Sequence, residues 1–473
     1  PSRRADCPKR EGIAVGKKVV MAGGIVVLAV ASAWAVYRPD QALRVAAGVA
    51  AHHVCSMHYI GGQDAARTYD ELVVPMIGGL AGRLLNVHVS PETQSVEVSS
   101  PLRSLARATF VRGYGCRLDL PGNVALVADP PADATAHALD DDFGDEAPVT
   151  SRKPAVAAAL DQLFAERAGE PLKQVKAVVV VKDGVVVAER YAQGVDAHTP
   201  LISFSVAKSF TNALLGMLVA DGKLRVDQPL ATPEWGKPGD PRAVITVEDL
   251  MRMRSGLAAE EAESAFSPVA QMEFLHGDMA GYAAAQPAKE APGKTFEYTS
   301  ADTLLLDRKI GELVGGGPAG LRQYAQDRLF RRLGMRDVTM EFDGKGTFVG
   351  STYVYASARD FAKFGALYLN DGVAPTGERL LPRGWVDWSR RSTLGAPYGA
   401  GFWTNDGPSR EANWRVNGGF PKDGFFASGT MGQRIYIVPS AHLVVTRFGY
   451  SAPPDYGIED DVALIKAVIE GYR

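Results

Sequence analysis

The 473-residue chain is poor in cysteine (three) and histidine (eight), and it lacks an excess of either charge, with 51 basic against 54 acidic residues. Three cysteines cannot staple a disulfide scaffold, and Cys7, Cys55 and Cys116 do not have metal-ligand spacing. A formal net charge of -3 argues against nucleic acid as the main partner, which normally demands a basic face. There is no Gly-x-Ser-x-Gly elbow, no His-Glu-x-x-His and no phosphate-binding loop. These absences argue against α/β-hydrolase, zinc-peptidase and nucleotide-hydrolase chemistry. The histidines do not group as ligands. His52, His53 and His58 read as exposed residues, His442 as a structural residue of a strand turn, and His198 as a candidate pocket residue seven positions ahead of Ser205. No metal and no cofactor is expected. What is present, 46% hydrophobic and 22% charged residues, suits folded domains rather than a disordered chain.

The longest uncharged apolar stretch is Val19 to Tyr37, preceded by Arg3, Arg4, Lys9, Arg10, Lys17 and Lys18. At about 1.5 Å per residue it nearly spans a hydrocarbon core of roughly 30 Å. The basic flank predicts a cytoplasmic N-terminus, a single-pass anchor in the inner membrane, and an extracytoplasmic remainder. The stretch exceeds an ordinary signal core, which favours an uncleaved anchor; Ala33-Trp34-Ala35 leaves a cleaved signal peptide as the alternative. Cys55 and Cys116 lie beyond the run and Cys7 before it. This placement predicts a Cys55–Cys116 disulfide and a reduced Cys7, against the alternative of two separate buried thiols.

Five segments follow. Residues 1–18 form a basic stub and 19–37 the anchor. Residues 45–128 form a small accessory module, with helical turns near Asp70 to Leu85 and period-two strands at Leu85 to Val89 and Ser95 to Val98. Residues 129–152 form a flexible linker carrying Asp140-Asp141-Asp142, whose carboxylates read as solvated. Residues 153–473 form one large domain. Its start shows an amphipathic helix from Pro154, then a β-branched hairpin, Val175 to Val187, around Asp183-Gly184. Its end shows paired strands, Arg434 to Val438 and Leu443 to Thr446. Strands at both ends and helices between predict an α+β domain: an antiparallel sheet built from both termini, flanked by helices, with a mainly helical subdomain.

Ser205-Val206-Ala207-Lys208 is the one Ser-x-x-Lys in the chain and opens an apolar helix. Spacing of three puts hydroxyl and amine on one helical face. A lysine desolvated there loses basicity and can accept the serine proton. A helix-capping serine beside a surface lysine is the alternative. Tyr298 and Ser300 lie two apart, so they can point the same way, and a phenol near the lysine can relay a proton; a buried structural tyrosine is the alternative. Gly429, ahead of the strand from Arg434, would let a substrate approach the backbone, with the amides of Thr430 and Ser205 as oxyanion donors; an ordinary loop glycine is the alternative.

Taken together and in this order, these features resemble the serine β-lactamase and penicillin-binding-protein superfamily. Within it the resemblance is to class C-like serine hydrolases such as 6-aminohexanoate-dimer hydrolases and family VIII-type esterases. It covers about 320 residues and rests also on Ile202 to Phe210, Pro292-Gly293, Ala356 to Ala362 and Phe425 to Gly429. The module with Cys55 and Gly115-Cys116 looks like a segment preceding such domains in anchored members. The resemblance implies Ser205 as the acylated nucleophile, Lys208 as general base, Tyr298 as proton shuttle, and Ser300 in the place of an Asn or Ser. It implies that Ala427-Ser428-Gly429 takes the place of a Lys-Thr-Gly element. The lysine is missing here, which removes a cation that would hold a substrate carboxylate and favours a linear amide or ester. Ser428 and Gln433 are candidate substrate contacts, with a structural amide at the strand end as the alternative for Gln433. The competing expectations are a D,D-peptidase or weak class C-like β-lactamase, and a non-catalytic penicillin-binding sensor or wall-binding module.

Overall fold

The computed structural model describes residues 38–101, 103–129, 148–262, 264–336 and 338–472. The basic stub, Cys7, the apolar run 19–37 and most of the acidic linker lie outside these residues. Among the described residues no helix is long and apolar enough to cross a membrane.

The chain first forms a 21-residue helix, α1 (Pro39–Tyr59). It lies on a four-stranded antiparallel sheet ordered β1 (Asn86–Ser90), β2 (Ser95–Ser100), β3 (Arg103–Val111), β4 (Gly115–Leu118). Val96, Val98 and Ala108 of the sheet bury against Val45 to Cys55 of the helix. Cys55 and Cys116 are disulfide-bonded across this core, with Cα atoms 6.1 Å apart. The strands fall where period-two alternation places them, but α1 has no sequence expectation. Its face is built of alanine, valine and glycine, small residues that give only a weak periodic signal. The exposed reading of the histidines is corrected: His52 and His53 are buried in α1, and His58 is half-buried with Nδ1 3.1 Å from the Gln63 carbonyl. Both ends of the linker are tied down. Asp129 makes a bidentate ion pair with Arg322, and the Val149 carbonyl accepts the Glu189 amide.

The larger part begins with α2 (Pro154–Phe164) and the hairpin β5 (Val175–Lys182) and β6 (Val185–Tyr191). Asp183 and Gly184 both have positive φ, 53° and 80°, the geometry of the tight turn that Asp-Gly favours. Next come β7 (Leu201–Ile202), α3 (Ala207–Ala220), α4 (Ser300–Val314), β8 (Thr339–Met340), β9 (Val354–Ala356) and α5 (Ala358–Leu369). The chain ends with β10 (Trp403–Thr404), β11 (Phe425–Gly429), β12 (Gln433–Val438), β13 (Leu443–Gly449) and α6 (Ile458–Gly471).

These strands make one six-stranded antiparallel sheet, ordered β10-β11-β12-β13-β5-β6, so both ends of the domain meet where Val175 pairs with Gly449. The unbroken valine run of β5 follows from burial on two faces. Ala177, Val179 and Val181 face the core that holds α3 and α5, while Val178 and Val180 face α2 and α6. A small sheet, β7-β9-β8, then joins the start of α3 to the segment around residue 351.

Candidate active site

The site forms where β7 runs into α3. Ser203 fixes the junction: its Oγ lies 3.0 Å from the Thr352 carbonyl and accepts the Val354 amide at 3.0 Å. A single 3-10 turn, Phe204–Val206, precedes α3. Phe204 sits at φ 43°, in the left-handed region disfavoured for a residue with a side chain. Strain of this kind collects at functional sites, where the surroundings hold it in place. Of residues 201–210, Ser205 alone is not buried. It does not cap α3, which has no side-chain cap; its hydroxyl instead faces Lys208.

Lys208 is 3% exposed, and its Nζ makes three hydrogen bonds: to Ser205 Oγ at 2.9 Å, Ser300 Oγ at 3.0 Å and the Ser351 carbonyl at 3.0 Å. Burial pulls the amine below the ordinary lysine range, opposed by the charges of Glu261, Glu273 and Asp307. Tyr298 faces the same hydroxyl closely enough for a side-chain hydrogen bond with Ser205, and Lys208 Nζ lies 4.9 Å from its ring centre. Burial and the Glu261 charge push its phenol well above the usual tyrosine value, so it carries its proton at neutral pH. Its ring is held by Tyr398 and Trp403, with centroids 5.5 and 5.6 Å away. The structure thus brings Ser205, Lys208, Tyr298 and Ser300 together from two separate segments.

Gly429 ends β11 directly against the Ser203–Ser205 turn. A Cβ at this position would lie 2.5 Å from the Ser203 carbonyl and 2.9 Å from the Ser205 amide nitrogen. Only glycine allows this approach, which brings the strand end against the Ser205 amide. Ala427 on this strand is buried and Ser428 half-buried. Two candidate contacts lie elsewhere, Gln433 in its alternative structural role. Gln433 braces the strand end rather than facing substrate: its amide nitrogen donates to the Thr430 and Gly449 carbonyls, and its oxygen accepts the Gly449 amide. His198 sits on an exposed turn with its backbone amide on Asp196, and it is not among the residues gathered around Ser205.

Three carboxylates have no sequence signal. Glu261, in an irregular loop, accepts the Ser300 amide at 2.5 Å. Glu273 accepts from Thr352 Oγ1 at 2.8 Å, and burial together with Glu261 pushes its carboxyl up to about 7. Glu341, 1% exposed, lies on the module side of the same region. Each takes its hydrogen-bond partner from a distant part of the chain, so no local spacing marks it. Among the described residues no group of histidine, cysteine, aspartate or glutamate is placed to hold a metal ion.

Comparison with known proteins agrees with this geometry. The Beta-lactamase family matches residues 160–468. The chain is 25% identical over 316 residues to the 6-aminohexanoate-dimer hydrolase of Paenarthrobacter ureafaciens, covering 61% of this chain and 76% of that protein. The fold is shared with a class C beta-lactamase from Rhodobacter sphaeroides (TM-score 0.50, 18% identity, 67% of this chain and 98% of the other). It is shared also with a penicillin-binding protein homologue from Caulobacter crescentus (TM-score 0.50, 16% identity, 68% and 98%). Fold, family match and relatives lead to one conclusion: the chain belongs to the beta-lactamase family and is a serine hydrolase.

Proposed function

We propose that this hydrolase cleaves a linear amide or ester through an acyl-enzyme on Ser205. The observation that carries the reading is the 2.9 Å contact between a buried, weakened lysine and the one accessible side chain of its turn. Lys208 takes the Ser205 proton as Oγ attacks the carbonyl carbon. The amides of Ser205 and Thr430 receive the oxyanion. Tyr298 passes a proton to the leaving amine or alcohol; the deacylating water then gives its proton to the Tyr298 phenolate, and Lys208 returns its proton to Ser205 Oγ as the acyl bond breaks. Ser300 holds the lysine in register.

Ala427 supports the choice of substrate. Where a lysine would meet a substrate carboxylate, this strand has an apolar side chain, and Glu261 adds negative charge beside Lys208. A penicillin or peptide C-terminus is disfavoured by that field, whereas a linear amide of the kind named for the Paenarthrobacter relative is compatible with it. We further propose that the domain works outside the cytoplasm on the single-pass anchor at 19–37, a placement supported by the Cys55–Cys116 disulfide.

The test is turnover of p-nitrophenyl esters, 6-aminohexanoate dimer, nitrocefin and D-Ala-D-Ala peptides, with Ser205→Ala as blank. Ester and linear-amide hydrolysis that vanishes in Ser205→Ala, together with lost fluorophosphonate labelling, is expected. Labelling that persists in that variant removes Ser205 as nucleophile.

A further inference from the structure

The module formed by α1 and the four-stranded sheet touches the catalytic residues' supports at two places. The first is Glu341, a carboxylate sunk between the module and the larger part of the chain. Its Oε1 accepts from Ser56 Oγ at 2.8 Å and from the Cys116 amide at 2.7 Å. Its Oε2 lies 2.9 Å from His52 Nε2 and 3.2 Å from the Tyr355 hydroxyl. Four groups therefore occupy the four lone-pair directions of one carboxylate, and three of them belong to the module. The disulfide joins Cys55, the neighbour of Ser56, to Cys116 itself, so one covalent link holds both donors on the same oxygen.

Glu341 is tied in turn to the segment that carries Ser351. Its amide donates to the Tyr353 carbonyl and its carbonyl accepts the Val349 amide. Ser351, enclosed between those two bonds, gives its carbonyl to Lys208. Thr352 beside it donates to Glu273, and its carbonyl meets Ser203. The second place is Phe204. The His53 ring stacks on Phe204 with centroids 5.6 Å apart, next to the nucleophile and at the strained position of the turn.

We propose that the disulfide-linked module is a positioning element of the active site, and that Glu341 is the positioning residue through which it holds the Ser351 carbonyl against Lys208. This rests on the reading of Ser205 and Lys208 as nucleophile and base. The module adds no group to the chemistry. It fixes the acceptor that orients the lysine and packs the turn that presents the serine. A reacting group displaced by about 1 Å loses on the order of 10²-fold in rate.

The experiment measures the acylation rate constant of Ser205 with a fluorophosphonate across pH, in the full chain, normalised to titrated active sites. Glu341→Gln replaces one acceptor oxygen by a donor and is expected to lower the constant by roughly 10- to 100-fold. It is also expected to move the midpoint of the profile to lower pH, because a carbonyl that no longer meets Nζ stops favouring the ammonium. The groups facing Lys208 (Glu261, Glu273, Asp307 and Tyr298) are unchanged in that variant, so the move reports the lost acceptor. Ser56→Ala removes one of four donors and should shift both quantities the same way by less. Should Glu341→Gln fail to fold, Ser56→Ala and reduction of the disulfide in the folded wild type decide the matter. A normal rate constant and midpoint per active site overturn the proposal, even where yield or melting temperature falls. Labelling that survives in Ser205→Ala would instead overturn the underlying assignment of the nucleophile.

Discussion

Gly429→Ala is the substitution for which the structure gives the clearest magnitude. The backbone at Gly429 has φ −130° and ψ 161°, which alanine adopts freely, so the cost is steric. The added Cβ would stand 2.5 Å from the Ser203 carbonyl, whereas ordinary contact begins at 3.4 Å. Strand β11 or the Ser203–Ser205 turn must then retreat by about 0.9 Å, close to the displacement that costs on the order of 10²-fold. The turn is braced by Ser203 on the Thr352 carbonyl and the Val354 amide, so most of the movement falls on the strand end that carries the Thr430 amide. Loss of one oxyanion donor lowers kcat by about 10²–10³, or roughly 2.7–4 kcal/mol of transition-state stabilisation. The assay is p-nitrophenyl ester hydrolysis, with kcat per titrated site and thermal unfolding measured in parallel. Gly424→Ala is the control. Its Cβ would meet the Phe420 ring at 2.3 Å, just ahead of the same strand. Overpacking there should cost about 1–3 kcal/mol of stability with kcat per site retained. A Gly429→Ala enzyme within threefold of wild type would refute the oxyanion role of this strand end.

Tyr298→Phe keeps the ring contacts with Tyr398 and Trp403 and removes only the hydroxyl, so turnover should slow by roughly 10²–10⁴ with little change in melting temperature. A near-normal rate would take the tyrosine out of the proton path. Glu273, with its carboxyl pushed up to about 7, binds its proton more tightly in the folded than in the unfolded chain. Its contribution to stability is therefore complete at low pH and is lost as pH rises through 7, with a slope of at most about 1.4 kcal/mol per pH unit. Glu273→Gln should flatten chemical-denaturation stability between about pH 5 and 8, and an unaltered slope would contradict the shifted carboxyl.

Sequence pattern revealed most where one segment settles the structure by itself. The β5–β6 hairpin was legible because β-branched residues flank Asp-Gly, whose positive φ values the turn requires. Ser205 and Lys208 were legible because helical spacing alone brings them together. Gly429 was legible as a place where the backbone can be approached, but its contact with the Ser203 carbonyl, more than two hundred residues earlier, was not. Glu261, Glu273 and Glu341 were illegible for the same reason: each gains its meaning from partners that the fold supplies. The histidines misled because position beside an apolar run suggests a surface, whereas α1 buries Val45 to Met57, packed on the four-stranded sheet and the Pro268–Leu275 helix.

The strand order of the large sheet also governs when the enzyme comes into being. β5 receives its second neighbour, β13, only after some 260 further residues have been made, and until then its valine-rich edge stands open. Such an edge is a template for wrong pairing, and long-range closure of this kind is slow. A nascent chain ending after α5 already contains Ser205, Lys208, Tyr298 and Ser300, yet it lacks β11 with its glycine and the strands that complete the sheet. Ser205 is synthesised before the middle of the chain, and on the proposed mechanism it becomes usable only when the last strands have docked.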